Sequence, residues 1–214
     1  MKDIVTYFNE EAPDHDELSR KWGMEEFYDT VEQEINSSKN KGSILVLGCG
    51  SGLEIERIKY PSKVVGIDLS EKMLEVLRQK RLYPGLNLTT ICASFLDFNL
   101  LEEQYDIVIT CYVMHHFNAE QKQDMYRKIY GCLKKQGVFI NGDIMVPTLA
   151  EEEYHCKNAE ELYSKEKLSY GSLHIDTPFC WTHEKDVLMS AGFDKLSLVK
   201  EWTNTKLYKC IKQD

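Results

Sequence analysis

Long apolar runs are missing from this sequence: nothing in its 214 residues approaches the ~18 consecutive apolar positions that a membrane span requires. The opening stretch, "MKDIVTYFNEEAPDHDE", turns acidic at once and has no apolar core, so no secretory leader is expected and the cytoplasm is the expected location. Basic charge is in deficit, with 26 Lys and Arg against 35 Asp and Glu and a net charge of −9. That balance argues against broad binding to a phosphate backbone and makes small molecules the default partners. Cysteine is present seven times, but without a C-x-x-C pair or a repeated spacing. A disulfide framework and a structural metal site are therefore not expected, and the thiols read as reduced core fillers. Internal repeats, low-complexity tracts and an obvious linker are also absent.

What remains is an ordinary globular composition, 43% apolar and 29% charged, in a chain long enough to bury a sizeable core. From about Asp14 to Asn36, Leu18, Trp22, Val31 and Ile35 fall near one helical face, with Phe27 and Tyr28 at its border. Helical spacing favours burial of Trp22 against the sheet. Seven strands are expected at "SILVLG", "KVVGID", "LNLTTICA", "YDIVITCY", "GVFINGDIM", "DKLSLVKEW" and "KLYKCIK". Helices are expected at about Leu53 to Lys59, over "SEKMLEVLRQKR", over "AEQKQDMYRKIYGCLKK", in the polar stretch after Pro147 and over "HEKDVLMSAG". Strands alternating with helices predict an α/β fold with right-handed crossovers, a mostly parallel sheet and helices on both faces. The short "TNT" between the last two strands predicts an antiparallel C-terminal hairpin at the sheet edge. Residues 1–42 are expected to form an N-terminal helical cap and 43–214 the main domain, with a lid-like insertion at about 147–181.

Gly48, Gly50 and Gly52 stand where the first strand turns, the place where open α/β sheets hold nucleotide-like ligands. Glycine allows positive φ and close approach of backbone to a ligand, and a new helix there points free N–H groups at it. Leu53 occupies the place of the third glycine of a dinucleotide G-x-G-x-x-G fingerprint, and Asp68 ends the second strand 16 residues after Gly52. That spacing suits a carboxylate meeting ribose hydroxyls.

Through "LGCGSG", "GIDLS", "CASFLDF", "YDIVITCYVMHHF", "LKKQGVFINGD" and "LMSAGF", in order and at family spacing, the sequence resembles the class I S-adenosylmethionine-dependent methyltransferases. The resemblance runs from about Ser43 to the C-terminus and implies a Rossmann-like seven-stranded fold. It implies S-adenosyl-L-methionine as cofactor, with S-adenosyl-L-homocysteine as product. Gly48, Cys49, Gly50, Ser51 and Gly52 would hold the methionine portion, Asp68 the ribose, and Leu69 with Met73 the adenine. Ala93, Ser94 and Phe95 would lie at the base edge, and Cys111 with Tyr112 would close over the sulfonium. His15, beside Asp16, is a candidate contact for the cofactor carboxylate. Two positions depart from the family pattern. Val46 stands where an acidic residue is common, which leaves the cofactor's amino group to backbone carbonyls, and Ala93-Ser94 replace an aspartate at the adenine edge.

Methyl transfer from a sulfonium needs the acceptor held close and, when it carries a proton, a base. His115 and His174 are the candidate bases, with His116 behind them. The resulting expectation is a methyltransferase acting on a small molecule, as a monomer or homodimer without a membrane partner. Two alternatives stand beside it: a tRNA wobble-uridine-modifying (carboxy)methyltransferase, and a non-catalytic module that binds the cofactor as a sensor or adaptor.

Overall fold

The computed structural model describes residues 2–213. Seven strands form one sheet in the order β3-β2-β1-β4-β5-β7-β6. Strands β1 (Ser43–Leu47), β2 (Ser62–Asp68), β3 (Leu86–Cys92), β4 (Tyr105–Cys111) and β5 (Leu133–Ile144) run parallel, each paired with its spatial neighbour. Strands β6 (Lys195–Glu201) and β7 (Thr205–Ile211) form the antiparallel hairpin, with β7 inserted between β5 and the edge strand β6. The order of the chain reverses beside β1, which opens a crevice at the carboxyl ends of β1 and β4.

Alternation along β1 feeds two cores. Ile44 and Val46 join one cluster with Phe27, Val31 and Ile35 of helix α3 (Glu25–Ser37) and Leu74 and Leu77 of α4 (Glu71–Gln79). Leu45 and Leu47 face the other, with Met125, Tyr126 and Ile129 of α5 (Ala119–Cys132) and Val187 and Leu188 of α7 (Trp181–Ser190). Helix starts are set by local chemistry: Ser70 caps α4, and Asn118 with Gln121 forms a capping box on α5.

Helices α1 (Ile4–Glu11) and α2 (His15–Lys21) precede α3, and α6 (Leu149–Glu166) fills the insertion after β5. Ala159 and Tyr163 of α6 gather Leu173 and its neighbours into a small separate core. The backbone N–H of Ile4 donates to Ser172 at 3.0 Å, which ties α1 to that insertion.

Three local expectations need correction. The amphipathic stretch from Asp14 to Asn36 is two helices, broken where Gly23 takes φ +71°. The break turns Trp22 outward, so this residue is 61% exposed instead of packed on the sheet. Between β1 and β2 the expected helix at Leu53 to Lys59 is only a 3-10 turn, Ile55–Arg57. Buried Ile55 and Ile58 and the Tyr60-Pro61 pair that precedes β2 leave no length for a full helix. No helix among the described residues is long and apolar enough to cross a membrane.

Candidate active site

A cavity of about 450 Å³ opens at the carboxyl ends of β1, β2 and β4 and is roofed by α1 and α2. At one end lies the glycine loop, folded back on β2 by N–H bonds from Gly48 and Cys49 to the Ile67 carbonyl at 2.8 and 3.1 Å. Its three glycines take φ of +65°, +46° and +81°, and they do so for different reasons. A β-carbon on Gly48 would lie 2.4 Å from Val113, and one on Gly52 2.3 Å from Leu77, so both are held by packing. A β-carbon on Gly50 meets nothing nearer than 3.9 Å and would project toward His15 and Met73 at the cavity wall. Gly50 is the glycine that keeps the cavity clear. Because the following turn is 3-10, the helix-terminus anion site expected from the sequence is not built here, and Gly52 does not line the cavity.

Asp68 closes this end. Its Oδ2 accepts from Gly50 N at 2.7 Å and its Oδ1 from Ser70 N at 2.8 Å. Burial raises its pKa, and those two N–H donors oppose the rise. Each oxygen keeps a second lone pair for a hydroxyl. His15 Nδ1 lies 2.9 Å from Ser51 Oγ, which donates to Asp16 Oδ1 at 2.6 Å, while Lys80 meets Asp16 at 2.6 Å. Despite partial burial, hydrogen bonds from His15, Lys80 and Ser51 hold the Asp16 carboxyl well below its ordinary value. Ser51 is thus fully buried and used to dock α2 on the loop, and only His15 of that set faces the cavity.

One residue here escaped the sequence reading. Glu54, 3% exposed, lines the cavity beside Cys49, Tyr28 and Cys111, and no side chain among the described residues hydrogen-bonds its carboxylate. Burial pushes its pKa up to about 8. The only local signal was an acid flanked by Leu53 and Ile55, two residues past the last loop glycine.

The far end is a ring of imidazoles and aromatics. His115 and His116 follow β4 with ring centroids 4.0 Å apart, and His174 from the insertion lies 5.1 Å from His116. Tyr7 of α1 stacks on His174 at 3.7 Å, with Phe8 edge-on to both histidines. Asp143 at the end of β5 accepts from the backbone N–H of His115 at 2.9 Å and pairs with its Nδ1. Burial acts to lower the pKa of His115, and the Asp143 carboxylate more than offsets it. Burial, with His115 and His174 nearby, pushes His116 well below its ordinary value, and burial likewise lowers His174. Between the two ends, Tyr112 takes φ +56°, a conformation that costs on the order of 1–3 kcal/mol in a non-glycine residue.

Of the residues singled out in the sequence, Gly48, Cys49, Gly50, Asp68, Leu69, Met73, Phe95, Cys111, Tyr112, His15, His115 and His174 all line this one cavity. Ala93 and Ser94 do not: Ala93 N is tied to the Asp68 carbonyl at 3.0 Å, and of this stretch only Phe95 reaches inward. No lysine or arginine among the described residues lines the cavity, whereas Glu11, Glu54, Asp68 and Asp176 do.

A methyltransferase-domain family model matches residues 44–137. Among curated proteins, the chain is similar to a carboxy-S-adenosyl-L-methionine synthase of Campylobacter jejuni subsp. doylei, with 28% identity over 188 residues, covering 79% of this chain and 77% of that protein. Among solved structures, a complex of DhpI with SAH superposes with a TM-score of 0.72 at 13% identity, covering 98% of this chain and 95% of that one. Human N-acetylserotonin methyltransferase in complex with SAM gives a TM-score of 0.63 at 16% identity, over 87% and 52% of the respective chains.

Proposed function

We propose that the chain is a class I S-adenosylmethionine-dependent methyltransferase, as its similarities support, and that it transfers the cofactor's methyl group to a small acceptor held between the glycine loop and the histidines. The single observation that carries this reading is the continuity of the cavity: the Asp68 carboxylate at one end and the His115 and His174 imidazoles at the other line the same space. Asp68 accepts hydrogen bonds from the ribose hydroxyls, and Gly50 leaves room for the methionine chain. Glu54 takes the cofactor's ammonium, filling the role left vacant by Val46. Acceptor and methyl are brought together with water excluded by α1 and the insertion. The acceptor's lone pair forms the new bond to carbon while the carbon–sulfur bond breaks and its electrons stay on sulfur. Any proton on the acceptor passes to His115 or His174, whose rings face the cavity.

Similarity to the carboxy-S-adenosyl-L-methionine synthase supports a second reading, in which the product is a carboxylated sulfonium. The lining disfavours it, because an added carboxylate is best held by a lysine or arginine and no such side chain lines the cavity among the described residues. The same acidic lining, with the net charge of −9, disfavours a tRNA substrate. Incubating the purified chain with S-adenosylmethionine and fractionated metabolites, followed by mass spectrometry, separates the readings. S-adenosylhomocysteine appearing with an acceptor heavier by one methylene supports methyl transfer. A sulfonium carrying an extra carboxylate overturns it in favour of the second reading, and cofactor binding without turnover over a broad acceptor panel supports a sensor.

A further inference from the structure

We infer that the acceptor end of the cavity binds a divalent transition-metal ion, of which Zn²⁺ is the best match, through His115, His116 and Asp176. Ligand atoms of these three residues all lie within 4.8 Å of one another. Asp176 Oδ1 is 3.6 Å from His115 Nε2 and 3.6 Å from His116 Nδ1. Those separations are too long for hydrogen bonds. They fit donors around one ion, since four ligands about 2.1 Å from zinc in a tetrahedron stand about 3.4 Å apart.

The support behind the ligands points the same way. Asp143 Oδ1 holds His115 Nδ1, and Oδ2 takes the backbone N–H of the same residue. The ring is thereby locked with its proton on Nδ1 and its lone pair on Nε2, aimed at Asp176. A carboxylate behind a histidine in this way is the usual outer partner of a metal-bound imidazole. Thr177 fixes the other strand of the site: its N–H and hydroxyl both bond the His115 carbonyl, at 2.7 and 3.0 Å, and so place Asp176 opposite the histidine pair. His116 Nδ1 donates a long hydrogen bond of 3.4 Å to the Ile175 carbonyl, a weak bond whose proton must leave when the nitrogen binds the ion. An imidazole pair with one carboxylate suits zinc or another first-row ion over magnesium or calcium, which prefer all-oxygen shells.

Three protein ligands leave a fourth position open toward the cavity, the pattern of a catalytic rather than a structural site. The group that would complete it is a thiol sulfur or a phenol or enol oxygen on the acceptor, whose proton the ion would make easier to lose. His115 then serves as a ligand and not as a base. The metal site itself is independent of the cofactor reading; only its action on the acceptor rests on it.

The test uses the full chain, stripped with chelator and titrated with Zn²⁺ against a chromophoric competitor, with retained ion counted after gel filtration. Expected is about one Zn²⁺ per chain at micromolar affinity or tighter, weakened about tenfold or more in Asp176→Asn and in His116→Gln, and unchanged in His155→Gln outside the cavity. Co²⁺ in place of Zn²⁺ is expected to give the visible bands of a four-coordinate ion in wild type and lose them in Asp176→Asn. Because Asp176 is 46% exposed, that variant is expected to keep the wild-type melting temperature, which separates ligand loss from misfolding. Substoichiometric zinc, or equal binding by wild type and Asp176→Asn, overturns the inference. S-adenosylhomocysteine calorimetry on the same preparation keeps the two readings apart. Cofactor binding without zinc sinks only the metal site, and zinc without cofactor sinks only the transferase.

Discussion

Part-buried Asp68 and buried Glu54 both line the glycine-loop end of the cavity, yet their surroundings give them different chemistry. Two backbone N–H donors to Asp68 oppose the upward pull of burial on its pKa, and Asp68→Ala is expected to weaken S-adenosylmethionine binding by about 1.5–3 kcal/mol in calorimetry. Unchanged affinity removes its ribose role. At Glu54 burial outweighs the backbone hydrogen bond and the Lys80 charge that favour ionisation, and its pKa is raised from 4.5 to about 8. A cofactor ammonium placed beside it favours the ionised form, so binding at pH 7 is expected to release close to one proton. Heats that vary with buffer ionisation enthalpy in wild type, and not in Glu54→Gln, report that release; identical heats in all buffers refute the contact. The same group has a stability signature. The folded state holds the Glu54 proton between about pH 4.5 and 8 while the unfolded state releases it, so this residue's contribution declines as pH rises through that window. Glu54→Gln is expected to match wild type near pH 4.5 and exceed it at pH 8, by on the order of 3 kcal/mol in denaturant titration.

Among the elements, the β1–β2 connection shows how one motif mixes packing with ligand binding. Gly52→Ala drives a β-carbon into Leu77, and with φ at +81° it is expected to cost about 2 kcal/mol or more of stability. Gly50→Ala has room and bears chiefly the left-handed backbone penalty of about 1–2 kcal/mol, but its methyl enters the cavity. Its loss is therefore expected mainly in cofactor affinity. Thermal melts beside calorimetry distinguish the two, and equal profiles contradict the division. G-x-G-x-G announced the turn, but the partners of each glycine lie on α4 and the β4 exit, out of reach of any local pattern.

At the scale of the whole molecule, a buried polar chain that the sequence did not suggest ties the sheet to α5 and α7. Thr110 on β4 bonds Asn141 on β5, Asn141 donates to Tyr208 on β7 at 2.6 Å, and Tyr208 donates to Glu184 on α7 at 2.6 Å. Tyr126 also donates to Glu184, and Lys122, over the Phe179 ring, pairs with it at 3.4 Å. Glu184→Leu strands a buried lysine and two hydroxyls, and is expected to destabilise by about 3–5 kcal/mol in denaturant titration. A loss below about 1 kcal/mol would show that Lys122 finds water instead. Adding Lys122→Met should recover part of the loss, since the unpaired charge is then removed.

The sequence alone determined the alternation of elements, the C-terminal hairpin, the glycine turn and Asp68, because each is written in neighbouring residues: strand and helix periods, turn residues, one acid at a strand end. Tertiary structure alone decided that His115, His116, His174 and Asp176 meet around Tyr7 and Phe8, because they come from β4, the insertion and α1. It also decided that Trp22 faces outward and that Glu54 is buried in the cavity wall, since exposure depends on what the rest of the chain places alongside. Local spacing encodes backbone shape; proximity between distant side chains exists only once the sheet order has brought their strand ends to one rim.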